Sequence, residues 1–213
     1  MRQLCADATD GIIGTAGVLQ GFSGAGGSAR TLIVASASTM IAGSVAQFGA
    51  QFAQDSAERD AQVRLIEEEA ASIAADPSAE IAELAARFTD RGVPPDLAHE
   101  VAEDMHEHDP LGAQLEQEYG IQEPMSRLAP VLSGLRAALG FALGSALPLV
   151  VLLLYPSAWE SRVLFAAVVL SLCLTSVLIA VSSGTSVRRA IFRTVSIGVL
   201  SMAISYVAGL IVF

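Results

Sequence analysis

Five stretches of the chain carry no Asp, Glu, Lys or Arg: Gly11 to Ala29, Thr31 to Gln54, Ala137 to Tyr155, Val163 to Val187 and Thr194 to Phe213. Each is close to the ~20 residues that a helix needs to cross a bilayer. In hydrocarbon the backbone must satisfy its own hydrogen bonds, so such stretches are helical. The pattern predicts an all-α polytopic membrane protein with five transmembrane helices. Spans one and two fall in residues 1–54, a polar insert in 55–125, and spans three to five in 126–213. A mean hydropathy of +0.54 agrees with a chain about half embedded in lipid.

The acid is concentrated in the insert. Of the 22 Asp and Glu residues, 19 lie between Asp55 and Glu123, where the basic residues are Arg59, Arg64, Arg87 and Arg91. A module so negative repels nucleic acid and anionic headgroups and attracts cations, which excludes a nucleic-acid role and points to metal ions as partners. No nucleophile motif, phosphate loop or ATP site is present, so the chain reads as a non-enzyme. Cys5 and Cys173 have no evident way to pair, and no disulfide is expected. The glycine-broken first window leads straight into the second and reads as part of the mature protein, not a cleaved signal.

Orientation follows from arginine, because short cytoplasmic loops keep Lys and Arg in excess. Arg188, Arg189 and Arg193 lie between spans four and five, and Arg127 and Arg136 precede span three; the other side has Arg30 and Arg162. The insert is therefore expected in the cytoplasm. All 12 basic residues are Arg, a bias that favours a GC-rich bacterial genome and the bacterial inner membrane.

Within the first span Gly11, Gly14, Gly17, Gly21 and Gly24 recur every three or four residues, a face that lets another helix approach at backbone distance. Ser38, Ala42, Ala46 and Ala50 make a second smooth stripe on span two. Asp10 stands at the mouth of the glycine-rich span, and Gln47 and Gln51 are one turn apart on span two; carboxylates at a membrane edge are costly and mark ion paths or proton sites. Asp10 can equally be a helix cap or a solvated end. Pro148 should bend span three and free a carbonyl.

The insert reads as packed helices. Asp55 to Ala75 continues span two, and Asp76-Pro77 caps a helix running to Arg91, with Ile81, Leu84, Ala85 and Phe88 at helical spacing and Gly92 as its stop. Asp96 then caps a third helix to Glu107, with Leu97, Val101 and Met105 on its apolar face, and a last helix covers Leu111 to Tyr119. Glu80 and Glu83 share a helix face and can oppose Glu67, Glu68 and Glu69, an oxygen-rich set suited to hard and borderline divalent ions. His99, Glu103 and His106 form a second stripe that could bind a transition metal. Hydrated surface carboxylates and a polar helix exterior account for the same two patterns.

An ordered set of motifs spans nearly the whole chain. Asp10-Gly11 opens the glycine-rich span, Ala42-Gly43-Ser44 follows in span two, and Leu143-Gly144-Ser145-Ala146-Leu147-Pro148-Leu149 lies in span three. Arg188-Arg189, Gly198, Tyr206 and Gly209 mark the last span. The insert adds Asp76-Pro77, Glu80-Ile-Ala-Glu83-Leu84, Arg91-Gly92, Val101-Ala102-Glu103, His108-Asp109 and Glu118-Tyr119-Gly120-Ile121. In this order they resemble the vacuolar iron transporter family and its bacterial relatives. The resemblance implies a homodimer of five-helix subunits, joined through the first helix, that exports Fe(II) or Mn(II) by proton antiport; Zn(II) and Co(II) are further candidate ions. No tightly bound cofactor is implied. Asp10 matches the transport carboxylate, and Glu69, Glu80, Glu83 and Glu118 match acidic metal ligands; Glu68, Glu103, His99 and His106 are further candidates from the residues themselves.

The chain departs from the family in four places. Ser72 stands for a Glu and Gln114 for a Met or His in the insert, while Thr39 and Gln47 stand for a Glu and a Met in span two, with Met40 adjacent. The transport path by this match is Asp10, Thr39, Met40 and Gln47. Losing thioethers leaves harder oxygen donors and favours manganese or broad specificity. Two other readings fit the residues: a membrane-bound sensor or buffer that binds divalent ions without moving them, and a structural oligomer held by the glycine stripe.

Overall fold

A computed structural model of the chain describes residues 2–154 and 160–212. Tyr155 and Phe213, the ends of two charge-free windows, lie outside the described residues, as does the side chain of Arg162. Every element described is a helix: α1 (Arg2–Gly24), α2 (Ala29–Ala75), α3 (Pro77–Asp90), α4 (Pro95–His108), α5 (Pro110–Tyr119), α6 (Ala129–Leu154), α7 (Glu160–Ser182) and α8 (Val187–Val212). Two compact units result, Met1–Ala53 with Pro130–Phe213 and, between them in sequence, Gln54–Ala129.

Among the described residues four helices, α2, α6, α7 and α8, are long and apolar enough to cross a membrane. Large apolar side chains such as Leu143, Leu170, Val181, Phe192, Leu200 and Ile204 are exposed on them, which water does not tolerate over so many neighbouring positions and lipid does. The chain is an integral membrane protein. The first helix differs from the other four. It starts at Arg2, nine residues before its predicted window, so it carries Asp7 and Asp10, and its five glycines add no hydropathy. It packs against α7 and α8, and Ile12, Ala16 and Leu19 form the middle of a core with Leu32, Leu152, Val168, Leu172 and Met202. Asp10 therefore lies two turns inside a helix and is not its cap.

Glycine lets α1 reach its neighbours. A Cβ at Gly11 would run into the Phe141 carbonyl of α6, one at Gly144 into the Ala8 carbonyl, and one at Gly24 into the Tyr206 carbonyl of α8. Ser145 Oγ fixes the α1–α6 crossing by donating to the Gly11 carbonyl over 3.2 Å. The glycine stripe is thus met within the chain by α6 at Gly11 and by α8 at Gly17, Gly21 and Gly24, a Cβ at Gly17 or Gly21 coming within 3.3 Å of Ser205; Gly14, Gly17 and Gly21 with Ser201, Ser205 and Gly209 border a groove of about 410 Å³ between α1 and α8. Ser38, Ala42, Ala46 and Ala50 are exposed on α2.

One expectation shifts here. Arg136 lies two turns inside α6, and Arg188, Arg189 and Arg193 lie in the opening turns of α8; long arginine stems let the charge reach the interface from inside a helix. Pro148 is buried within α6, which runs through it without a break.

In the second unit α3 begins where the sequence says it should. The Ala79 N–H donates to Asp76 Oδ1 at 3.1 Å and Ser78 Oγ at 2.8 Å, and these bonds, Ser78's first, hold the Asp76 carboxyl below its ordinary value. A group whose pKa is lowered by folding stabilises above its unfolded value and loses that contribution as pH falls through the folded one. Asp76→Ala is accordingly expected to lower the thermal midpoint of this unit at neutral pH, and Asp76→Asn, which keeps an acceptor, to lower it less; circular dichroism of the two variants checks this. Asp109 caps α5 through the Gly112 N–H, and Gly120 closes it at φ 67°.

The third helix of the insert corrects the sequence reading. Pro94 precedes it with no side-chain cap, and Asp96 sits in its first turn. Leu97 is 49% exposed, while Ala98 and Ala102 are fully buried. Small alanines let α4 lie close on α3, and Ala102 packs with Leu84, Ala85 and Ala113, flanked by Ile81, Phe88 and Met105.

Candidate metal centre

Three helices, α2, α3 and α5, bring carboxylates near one another in the second unit. Only the last of Glu67, Glu68 and Glu69 turns in: Glu69 is 7% exposed, whereas Glu67 and Glu68 lie on the surface and Glu68 stands 3.7 Å from Arg64. Glu80, 9% exposed, comes from the first turn of α3, Glu83 one turn later, and Glu118 from the end of α5. Burial, then the charges of Glu80 and Glu118, push the Glu69 carboxyl above its ordinary value; a Tyr119 hydrogen bond opposes this and Glu83 adds to it. Mutual repulsion of this kind is what a bound cation relieves.

Each carboxylate has a partner from the protein. Ser72 Oγ donates to Glu80 Oε1, and Gln114 Nε2 donates to Glu80 Oε2 at 3.1 Å and to its carbonyl at 2.9 Å. The two positions at which the insert departs from the family pattern are therefore the two whose side chains hold Glu80. Arg87 Nη2 lies 3.0 Å from Glu83 Oε1 and 2.8 Å from Glu118 Oε1. Tyr119 OH donates to Glu69 Oε2 at 3.4 Å, and burial, then the hydrogen bond and charge of Glu118 and those of Glu69, push its hydroxyl up to about 12. Glu69 Oε1 and Gln114 Oε1 stay buried without a partner, Gln114 being wholly buried. So arranged, no three His, Cys, Asp or Glu side chains among the described residues stand close enough together to grip an ion.

The raised Glu69 has a direct consequence. Its carboxyl keeps its proton to higher pH than a free glutamate, and a metal takes the carboxylate form, so metal binding displaces protons. Mn(II) affinity is expected to rise with pH across the window just above the ordinary glutamate value, with net proton release. Calorimetry in two buffers of different ionisation enthalpy measures that release.

The histidine stripe is arranged differently. His99 Nε2 meets Glu103 Oε1 at 3.4 Å with both side chains exposed, while His106 Nδ1 is buried without a partner.

In the membrane unit Asp10 is exposed on α1. Thr39, Met40 and Gln47 are half-buried on α2, and the Thr39 hydroxyl donates to the Ala35 carbonyl at 2.8 Å. The Phe141 ring reaches both helices, filling the space beside Gly14 and Gly43. Asp7 is a functional candidate that sequence reasoning missed. It is 4% exposed, its Oδ1 accepts from Gln3 Nε2 at 3.3 Å, and its Oδ2 has no partner. Its signal was the spacing, one turn before Asp10 on the same helix. A cavity of about 1410 Å³ runs along α8 beside Cys173, with Arg188 and Arg189 but no carboxylate in its lining; its apolar lining suits lipid.

Two comparisons with known proteins bear on this arrangement. The sequence model of the VIT family matches residues 1–210. A curated protein of Acanthamoeba castellanii, named vacuolar iron transporter, is 25% identical over 179 residues, which cover 84% of this chain and 68% of that protein.

Proposed function

The chain belongs to the VIT family, and from that membership we propose that it exports divalent metal ions, Fe(II) and Mn(II) foremost, from the cytoplasm in exchange for protons. The observation that carries this reading is the meeting of the buried Glu69 and Glu80 with Glu83 and Glu118, where a buried Glu69 oxygen has no partner in the protein. The Acanthamoeba relative's name supports iron as cargo. The Gln114 side chain offers oxygen where thioether or imidazole is the softer choice, which supports manganese beside it. The acidic unit collects the ion on the cytoplasmic side of a bacterial inner membrane, the orientation that the arginine distribution supports. Asp10 then takes the ion, and a proton arriving from outside neutralises Asp10 and releases it.

The functional unit in this proposal is a homodimer. The groove that Gly14, Gly17 and Gly21 form with the small residues of α8 supports a seam there, since its small side chains leave room for a second copy's helix. A second reading has one observation in its favour. Thr39 supplies a hydroxyl bonded to its own helix where the family pattern has a carboxylate, which suits a membrane-bound sensor or buffer that binds metal without moving it.

Reconstitution separates the two. Fe(II) and Mn(II) uptake into proteoliposomes, with and without an imposed proton gradient, is expected to exceed that of protein-free vesicles. Tight binding with no flux would replace the transporter by the sensor.

A further inference from the structure

Arg87 stands where a cation belongs. One nitrogen of its guanidinium bridges Glu83 Oε1 at 3.0 Å and Glu118 Oε1 at 2.8 Å, tying α3 to α5. These are charge-assisted hydrogen bonds, and they occupy oxygen lone pairs that a metal would use. An ion held at the roughly 2.0–2.6 Å of oxygen coordination cannot share both oxygens with a guanidinium in that position. We infer that Arg87 is a tethered counter-cation, so that a divalent ion enters by displacing it from Glu83 and Glu118. The inference rests on the reading above that these two carboxylates take the ion.

Three features support exchange over a fixed structural ion pair. Glu69 Oε1 and Gln114 Oε1 are buried and unpartnered, so Arg87 neutralises only one side of the cluster and leaves donors that suit an ion. The Arg87 side chain is 31% exposed, and water is therefore within reach when it swings out. Arginine also stays charged at any working pH, so its departure needs a competing charge and not a proton. A divalent ion gains more from the carboxylates than the single charge it replaces, whereas Na⁺ or K⁺ does not. The return of Arg87 to Glu83 and Glu118 would then help expel the ion, giving a site that loads weakly and unloads fast.

The test is Mn(II) binding to the full-length protein in detergent, read by the electron spin resonance of free Mn(II). An Asp10→Asn background leaves the carboxylate cluster as the site observed. Arg87→Gln is expected to tighten binding about tenfold or more, the scale of one charge-assisted contact removed. Arg87→Lys, which keeps the charge, is expected to stay within about threefold of the parent. Arg91→Gln controls for loss of a nearby positive charge, because Arg91 pairs with Gln117 and not with these carboxylates; its change is expected to be the smaller. If Arg87→Gln does not fold, Arg87→Met keeps the stem and carries the same expectation. A parent that binds Mn(II) with Arg87→Gln binding equally or more weakly overturns the displacement. No binding in the parent or in any variant overturns the metal-collecting role itself.

Discussion

In reconstituted vesicles Asp10→Asn is expected to bring metal flux down to that of protein-free vesicles. The change keeps the size and polarity of the side chain and removes its charge and its proton, the two properties that the proposed transport step uses. Asp10 is exposed two turns into α1, so its replacement leaves the buried core of Ile12, Ala16 and Leu19 untouched, and the protein should fold. Mn(II) binding by the insert should stay within about twofold, because Glu69, Glu80, Glu83 and Glu118 belong to the other compact unit. Flux retained in this variant would remove Asp10 from the mechanism.

The largest effect on folding is expected from Gly144→Val. Even the first carbon of a side chain there would overlap the Ala8 carbonyl group of α1 and lie 2.8 Å from its Cα. Backbone cannot rotate aside as a side chain can, so the two helices must separate. Overpacking costs roughly 1–3 kcal/mol where side chains can adjust, and a backbone obstacle places this variant at or above the top of that range. Separation would also break the bond from Ser145 to Gly11. Gly49→Ala is the matched control: nothing lies within 4 Å of its added carbon, and alanine in a helix is about 0.8–1 kcal/mol better than glycine. Thermal unfolding in detergent should show Gly144→Val lost or strongly lowered and Gly49→Ala equal to the parent or above it.

Much of this architecture was legible because the signals were local. Asp76-Pro77 and Asp109-Pro110 mark helix starts through bonds made within three residues, and the charge-free windows reflect the solvent each helix meets. The motifs named the family without any tertiary information. What could not be read depended on neighbours distant in sequence. Whether Leu97 or Ala98 faces α3 depends on how closely two helices approach, and small residues won because the packing is tight. The glycine stripe was visible, but not that α6 and α8 of the same chain pack along it. Likewise Glu69 could not be separated from Glu67 and Glu68 until the rotation of α2 was known. Arg87 was counted as one of a few charges in an acidic segment; only the meeting of α3 with α5 puts it between Glu83 and Glu118.

The most direct test of the proposed exchange follows metal and protons in the same vesicles. Acid-loaded proteoliposomes receive external Mn(II) while lumenal metal and lumenal pH are recorded together. Metal entry accompanied by alkalinisation of the lumen, both absent in protein-free vesicles, is the predicted result. Mn(II) bound to the protein with neither lumenal signal changing would contradict it.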